Sequence, residues 1–294
     1  MYERYYGLRE RPFDLTPNPR YLFLSAKHRE ALSHLHYGIC GRKGITVLIG
    51  EAGTGKTTLV HTALEQHRDE KTCTVYLSNP LLARNEFFEF LAWGYGLDTS
   101  AEGSKTRFVL ELTRTLTARQ EAGGTSALVI DEAQCLSHEL LEEIRLLANI
   151  ETATDKLLPV VLVGQPELAD RLNEPSLRQL KQRVALRCAL PPLDAGETVD
   201  YISNRITVAG GQSDQLFAPA AIETIFEHSR GIPRTISVIC DNALLSGFAA
   251  DECPVSRETV LEVCRDFDLR PADAPATVLS TAAAAAAPRP SSFF

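Results

Sequence analysis

Eight consecutive residues, Gly50-Glu51-Ala52-Gly53-Thr54-Gly55-Lys56-Thr57, carry the spacing G-x-x-x-x-G-K-[ST]. Glycines at these positions let a backbone fold tightly, so that successive N–H groups point inward at phosphate oxygens. A helix beginning at Lys56 adds the partial positive charge of its N-terminus. Lys56 then reaches the β- and γ-phosphates, the Thr57 hydroxyl is a Mg²⁺ ligand, and Thr58 closes the cradle. The chemistry these residue types support is the binding of ATP or GTP.

Hydrolysis asks for more: a held Mg²⁺, an oriented water and positive charge on the developing transition state. Asp131 and Glu132 follow an apolar run at 126–130, where a strand's carboxyl end meets ligands in an open α/β sheet. Asp131 is the expected metal ligand and Glu132 the general base. Gln165 ends a second apolar run and is expected near the γ-phosphate, its rival reading being a turn residue before Pro166. Arg183 closes a basic stretch with Arg178 and Lys181, just before another strand and Arg187. It reads as an arginine finger for a neighbouring subunit, or as part of a solvated basic face. Arg234, in Gly231-Ile232-Pro233-Arg234, is expected to reach the same phosphates from a helical domain.

The elements that must position these groups are legible as alternating patterns. Buried strands are expected at 45–49, 73–77, 126–130, 158–164 and 184–190. Between them, helical spacing predicts helices over 27–38, 57–66, 84–97, 106–120 and from 137 to 148, with Ser25 and Ser137 as N-caps. Alternating strands and helices give a parallel sheet sandwiched by helices, the α/β class. After the break Pro191-Pro192 only helical stretches follow, at 195–209, 219–228, 233–248 and 256–267. The first 20 residues, with Pro12, Pro17 and Pro19, are expected to run extended over the surface. His28, His34 and His36 read as surface or packing histidines. From Arg270 the composition collapses into Ala and Pro, a disordered tail.

Composition narrows the class. With 294 residues, 44% hydrophobic and 23% charged, the chain is long enough for one α/β domain and a small satellite. Seven scattered cysteines without a C-x-x-C pair argue for a reducing compartment and against zinc. The N-terminus has no apolar signal region, and no window approaches the ~20 apolar residues of a membrane span. A cytoplasmic protein is expected. The net charge of −8 offers nucleic acid no general attraction.

Taken in order, these motifs resemble those of the AAA+ ATPases, and more closely the general secretion pathway protein A family. The resemblance is carried by Tyr5-Tyr6-Gly7-Leu8, Pro12-Phe13, the stretch 15–22, His28-Arg29-Glu30-Ala31-Leu32, the phosphate loop, Ile130-Asp131-Glu132-Ala133-Gln134, the stretch 146–152, Leu162-Val163-Gly164-Gln165-Pro166-Glu167-Leu168 and Gly231-Ile232-Pro233-Arg234. It covers about 1–267. It implies a P-loop NTPase (AAA+) fold divided into an N-terminal segment (1–26), an ATPase domain (27–191), an all-helical lid (192–269) and a tail (270–294). It also implies that the N-terminal segment encloses adenine, which favours ATP over GTP. Subunits of such proteins form rings or filaments, one subunit's arginine serving its neighbour's site. Family members continue into a membrane span and a peptidoglycan-binding region, and this sequence shows neither. The expected function is therefore an ATP-hydrolysing protein whose nucleotide-dependent oligomerisation drives assembly of a partner complex, in a secretion or cell-surface exopolysaccharide system, with a membrane-associated protein as partner. The alternatives are an ATP-dependent DNA-binding regulator of the transposition type and a non-hydrolysing nucleotide-gated scaffold. The acidic charge and the lack of a winged-helix domain after the lid count against nucleic acid.

Overall fold

In the computed structural model, residues 1–15, 18–66, 71–98 and 104–271 are described. Pro17 and the tail from residue 272 lie outside them. Five strands form one all-parallel sheet: β1 (Ile45–Gly50), β2 (Thr72–Leu77), β3 (Thr125–Ile130), β4 (Val160–Gly164) and β5 (Val184–Leu190), in the order β2-β3-β4-β1-β5. The apolar runs that mark the strands serve two faces. In β1, Ile45, Val47 and Ile49 enter one core while Leu48 enters the other, and β3 and β4 divide their residues in the same way. Side chains alternate across a strand, so a continuous apolar run needs cover on both sides.

That cover is helical. Helices α2 (Ala26–Cys40) and α3 (Lys56–Gln66) pack Ala31, Leu35, Leu59 and Val60 on one face. Helices α4 (Arg84–Tyr95), α5 (Lys105–Glu121), α6 (His138–Leu147), α7 (Pro166–Leu172) and α8 (Arg178–Lys181) pack on the other, through Phe87, Phe108, Leu112, Ile144 and Leu168. Ser25 and Ser137 cap their helices as expected, each side-chain oxygen accepting a backbone N–H.

Beyond β5 the described chain is helical: α9 (Ala195–Val208), α10 (Ser213–Leu216), α11 (Pro219–Ser229), α12 (Pro233–Ala249) and α13 (Arg257–Asp266). These close a separate core through Ile202, Ile225, Ile239 and Leu244. The same core contains Tyr2, Tyr6, Leu8 and Phe13, which corrects the expectation of an extended surface run at the N-terminus. Residues Tyr2–Tyr5 form a short helix, α1. The Tyr2 hydroxyl donates to Asp241, the Tyr6 hydroxyl to the Glu252 carbonyl at 3.1 Å, and the Arg9 N–H to the Ala209 carbonyl at 2.8 Å. The physical reason is area: a small helical unit buries a limited core, and apolar side chains from the N-terminus enlarge it while leaving water themselves.

Candidate active site

The loop predicted to hold phosphate joins β1 to α3 at the carboxyl edge of the sheet. Gly53 and Gly55 have φ of +83° and +95°, the left-handed region that costs any other L-residue strain. The Lys56 ammonium donates to the Gly50 and Glu51 carbonyls at 2.8 and 2.9 Å, so the side chain lies back along its own loop. It is buried, and that burial lowers its pKa, against the pull of Glu132, Asp131 and Glu51, which raise it.

Parallel register brings the acidic pair to this loop. β3 lies two strands from β1, and Asp131 emerges at the same edge. One Asp131 oxygen, Oδ2, accepts from the Thr57 hydroxyl at 2.7 Å and from the Tyr76 hydroxyl at 2.9 Å. The other, Oδ1, accepts the Glu132 N–H at 2.9 Å. The two expected Mg²⁺ ligands are thus in direct contact. Their hydroxyl and carboxylate oxygens are the donor set a hard cation takes, and the residues fit the ion that the motif implies.

Glu132 stands in the left-handed region with φ of +51°. A non-glycine residue held there costs of order 1 kcal/mol, and such strain concentrates at functional positions. Its Oε2 accepts from the Gln165 amide at 3.1 Å and from the Gln134 amide. Gln134 also accepts the Gln165 backbone N–H at 3.1 Å, and its own carbonyl is held by the Arg171 guanidinium. Gln165 is brought to Glu132 because β4 is the neighbour of β3 in the sheet. It is also the N-cap residue of α7, so the turn before Pro166 and the contact with Glu132 coexist.

The helical unit closes the site from above. The Arg234 N–H donates to the Gly53 carbonyl at 3.2 Å, and a Cβ on Gly53 would lie 2.8 Å from that of Arg234. Between the loop and this unit lies a cleft of about 380 Å³, within the range of small-ligand sites. Its lining includes Lys56, Thr57, Glu132 and Arg234 at one end, and Leu22, Phe23, Tyr201 and Arg205 from the N-terminal segment and α9. The Arg205 guanidinium stacks over Tyr21 and Tyr201 at 5.3 and 5.2 Å, and donates to the Pro12 carbonyl at 2.8 Å. Arg183 is elsewhere. It is exposed and precedes Val184, which pairs with Ile45 at the opposite edge of the sheet from Gly50 and Leu190. It lies level with Gly44, and six residue steps at ~3.3 Å put it on the order of 20 Å from its own chain's loop.

Three groups at the site escaped the reading of the sequence. His28 is buried against the loop: its Nδ1 meets the Ser25 hydroxyl at 2.9 Å and its Nε2 the Thr54 carbonyl at 3.3 Å. The Ser-x-x-His spacing at an N-cap was a usable signal, since the third residue after a cap returns to it. Gln134 follows the acidic pair with Ala133 between. Tyr76 carried no local signal, because only the pairing of β2 with β3 brings it to Asp131.

This sheet, loop and acidic pair under a helical cap define a P-loop NTPase fold of the AAA+ class. Solved structures agree on the fold: the Aeropyrum pernix ORC2 protein (TM-score 0.63, 17% identity, 88% of this chain and 72% of that one) and Cdc6p of Pyrobaculum aerophilum (0.65, 17%, 87% and 70%). The RuvB Holliday junction branch migration motor of Thermotoga maritima is a third (0.53, 20%, 83% and 70%). The AAA domain family model matches residues 40–172. General secretion pathway protein A of Aeromonas hydrophila is 42% identical over 250 residues, 85% of this chain and 45% of that protein. The chain has the AAA+ fold and is related to general secretion pathway protein A, and it spans less than half the length of that relative. Among the described residues no helix is long and apolar enough to cross a membrane.

Proposed function

We propose that the chain binds ATP with Mg²⁺ in the cleft between the phosphate loop and the helical unit, and hydrolyses it. The observation that carries this reading is the 2.7 Å contact between Thr57 and Asp131 beside Glu132, a side chain that lines the same cleft. Gly50, Glu51, Ala52, Gly53, Thr54, Gly55 and Thr58 cradle the phosphates, and Lys56 meets the β- and γ-oxygens. Thr57 and Asp131 hold the cation, which supplies charge neutralisation at those oxygens. Glu132 takes the proton of the attacking water, Gln165 orients that carboxylate, and Arg234 senses the phosphates from the helical side. Arg183, remote from its own loop, serves a neighbouring subunit in a ring or filament, so nucleotide sets the oligomeric state. The name of the secretion-pathway relative supports a role in assembling a membrane-associated partner complex from the cytoplasmic side, where ATP is held.

Phosphate release and ATP binding test the reading, with light scattering after gel filtration for mass. The wild-type chain is expected to release phosphate and to gain mass with ATP, and Lys56→Ala to do neither. Hydrolysis by Lys56→Ala at the wild-type rate would place the reaction elsewhere. A mass unchanged by ATP would remove the oligomerisation step.

A further inference from the structure

The helical unit carries a second cavity, of about 990 Å³, separate from the nucleotide cleft. One wall is α9, on which Ala195, Val199, Ser203 and Thr207 recur every four residues. The other is α11, through Ile222 and Phe226. At 1.5 Å per residue the α9 stripe runs ~18 Å, or just over three helical turns. Small side chains on one wall and large apolar ones on the other leave a trough of the shape an amphipathic helix fills. Val199, an aliphatic side chain, is 46% exposed on this wall. The charge of the groove has one sign. Asp214, Glu223 and Glu227 line it, and among the described residues no lysine or arginine does.

We propose that this groove docks an amphipathic helix of a partner protein, with its apolar face between α9 and α11 and flanking lysines or arginines against Asp214, Glu223 and Glu227. An acidic rim around an apolar floor selects a basic helix and rejects an acidic one, because like charges brought together across an interface repel. The wall is shared with the nucleotide site. Tyr201 and Arg205 of α9 line the cleft, and Tyr201 lies ~200° around the helix from Val199 at ~100° per residue. A helix gripped on one face by the partner and lining the cleft on the other through Tyr201 and Arg205 couples the two sites. This coupling, unlike the docking, rests on the nucleotide reading above.

The probe is a fluorescein-labelled helical peptide of about 14 residues, with leucine at i, i+3, i+4 and i+7 and lysine elsewhere. A twin carries glutamate in place of lysine. Fluorescence anisotropy without nucleotide is expected to show binding of the lysine peptide alone. Val199→Trp, at an exposed site, fills the trough and is expected to weaken binding ~10-fold or more. Reversing the rim with Glu223→Lys and Glu227→Lys is expected to switch preference to the glutamate peptide. Circular dichroism confirms that each variant is folded. Failure of the wild-type chain to bind, or equal binding by all three proteins, overturns the proposal. So does a Val199→Trp chain that changes its own oligomeric mass without peptide binding, which assigns the groove to a second copy. ATP is expected to shift the wild-type peptide affinity at least ~5-fold, the lower end of ordinary coupling between sites, and to leave Lys56→Ala unmoved. Unshifted affinity in a wild-type chain shown to bind ATP overturns the coupling and leaves the docking. A wild-type chain that binds peptide but no ATP points instead at the nucleotide reading.

Discussion

The Gln165 amide donates to Glu132 Oε2 at 3.1 Å, across the gap between two neighbouring strands. Glu132 is thus fixed at both ends: its backbone by a left-handed conformation, its carboxylate by Gln165 and Gln134. If Glu132 is the base, removing its basicity and removing its support have different signatures. Glu132→Gln is expected to keep ATP binding and slow turnover at least ~100-fold. Gln165→Leu keeps the carboxylate and its Gln134 contact but removes one of its two amide donors, and is expected to lower kcat by ~10-fold with ATP affinity within about twofold. Single-turnover kinetics with a binding isotherm on each variant separate the cases. A Glu132→Gln enzyme at wild-type speed would exclude Glu132 from the chemistry.

What was legible in the sequence followed from local order. The loop, Asp131, Glu132 and Gln165 each sit at the end of an apolar run, and a parallel sheet brings the carboxyl ends of its strands to one edge. The parts that were not legible depend on partners distant in the chain. Tyr2 meets Asp241 across 239 positions, and a tyrosine-rich, proline-spaced start gives no sign that its rings belong to a core made by α9 to α13. Tyr76 reached Asp131 through strand order, which periodicity does not encode. Arg183 lay in a basic stretch that reads alike as finger and as solvated face, and its exposed position at the far end of β5 from the loop fits either.

Gly53 ties the loop to the helical unit. Its φ is +83°, and a Cβ there would come within 2.8 Å of Arg234 Cβ and 3.1 Å of Ile232. Gly53→Ala is expected to push α12 off the loop and to weaken ATP binding ~10-fold or more, beyond the ~1 kcal/mol of left-handed strain. Gly96→Ala isolates the strain, since Gly96 has φ of +69° and open space around it. Calorimetric ATP titrations should show Gly96→Ala binding as wild type. Equal losses in the two variants would mean that left-handed strain in the fold at large, not the α12 contact, lowers ATP affinity.

Arg183 is tested by complementation, because a finger acts between subunits. Lys56→Ala cannot hold nucleotide but presents Arg183, whereas Arg183→Ala holds nucleotide and lacks the finger. Each alone is expected to lose turnover by ~10³-fold, the scale of a missing finger. Mixed in equal amounts, they should regain a measurable fraction of wild-type phosphate release. If Arg183→Ala alone and the mixture both run at the wild-type rate, Arg183 is not the finger.

Burial of His28 is expected to make the fold sensitive to mild acid, against the Thr54 carbonyl and Glu197, which pull its pKa the other way. The Ser25 hydroxyl accepts the His28 backbone N–H and donates to Nδ1, which leaves Nε2 to donate to the Thr54 carbonyl. Burial holds its pKa below the ordinary 6.5. The fold therefore favours the neutral ring, whereas the unfolded chain takes up a proton near pH 6.5. As pH falls from 6.5 toward the lowered value the unfolded state binds more protons, and stability declines through that window; above 6.5 the contribution is complete. His28→Gln places an amide donor near Nε2 without a titrating group. Urea unfolding at about pH 7.5 and pH 5 is expected to show a smaller acid loss in His28→Gln than in the wild type, together with a flatter pH dependence of ATP affinity. Identical losses in both proteins would mean that the acid sensitivity belongs to other groups, and that His28 is a packing residue beside the loop.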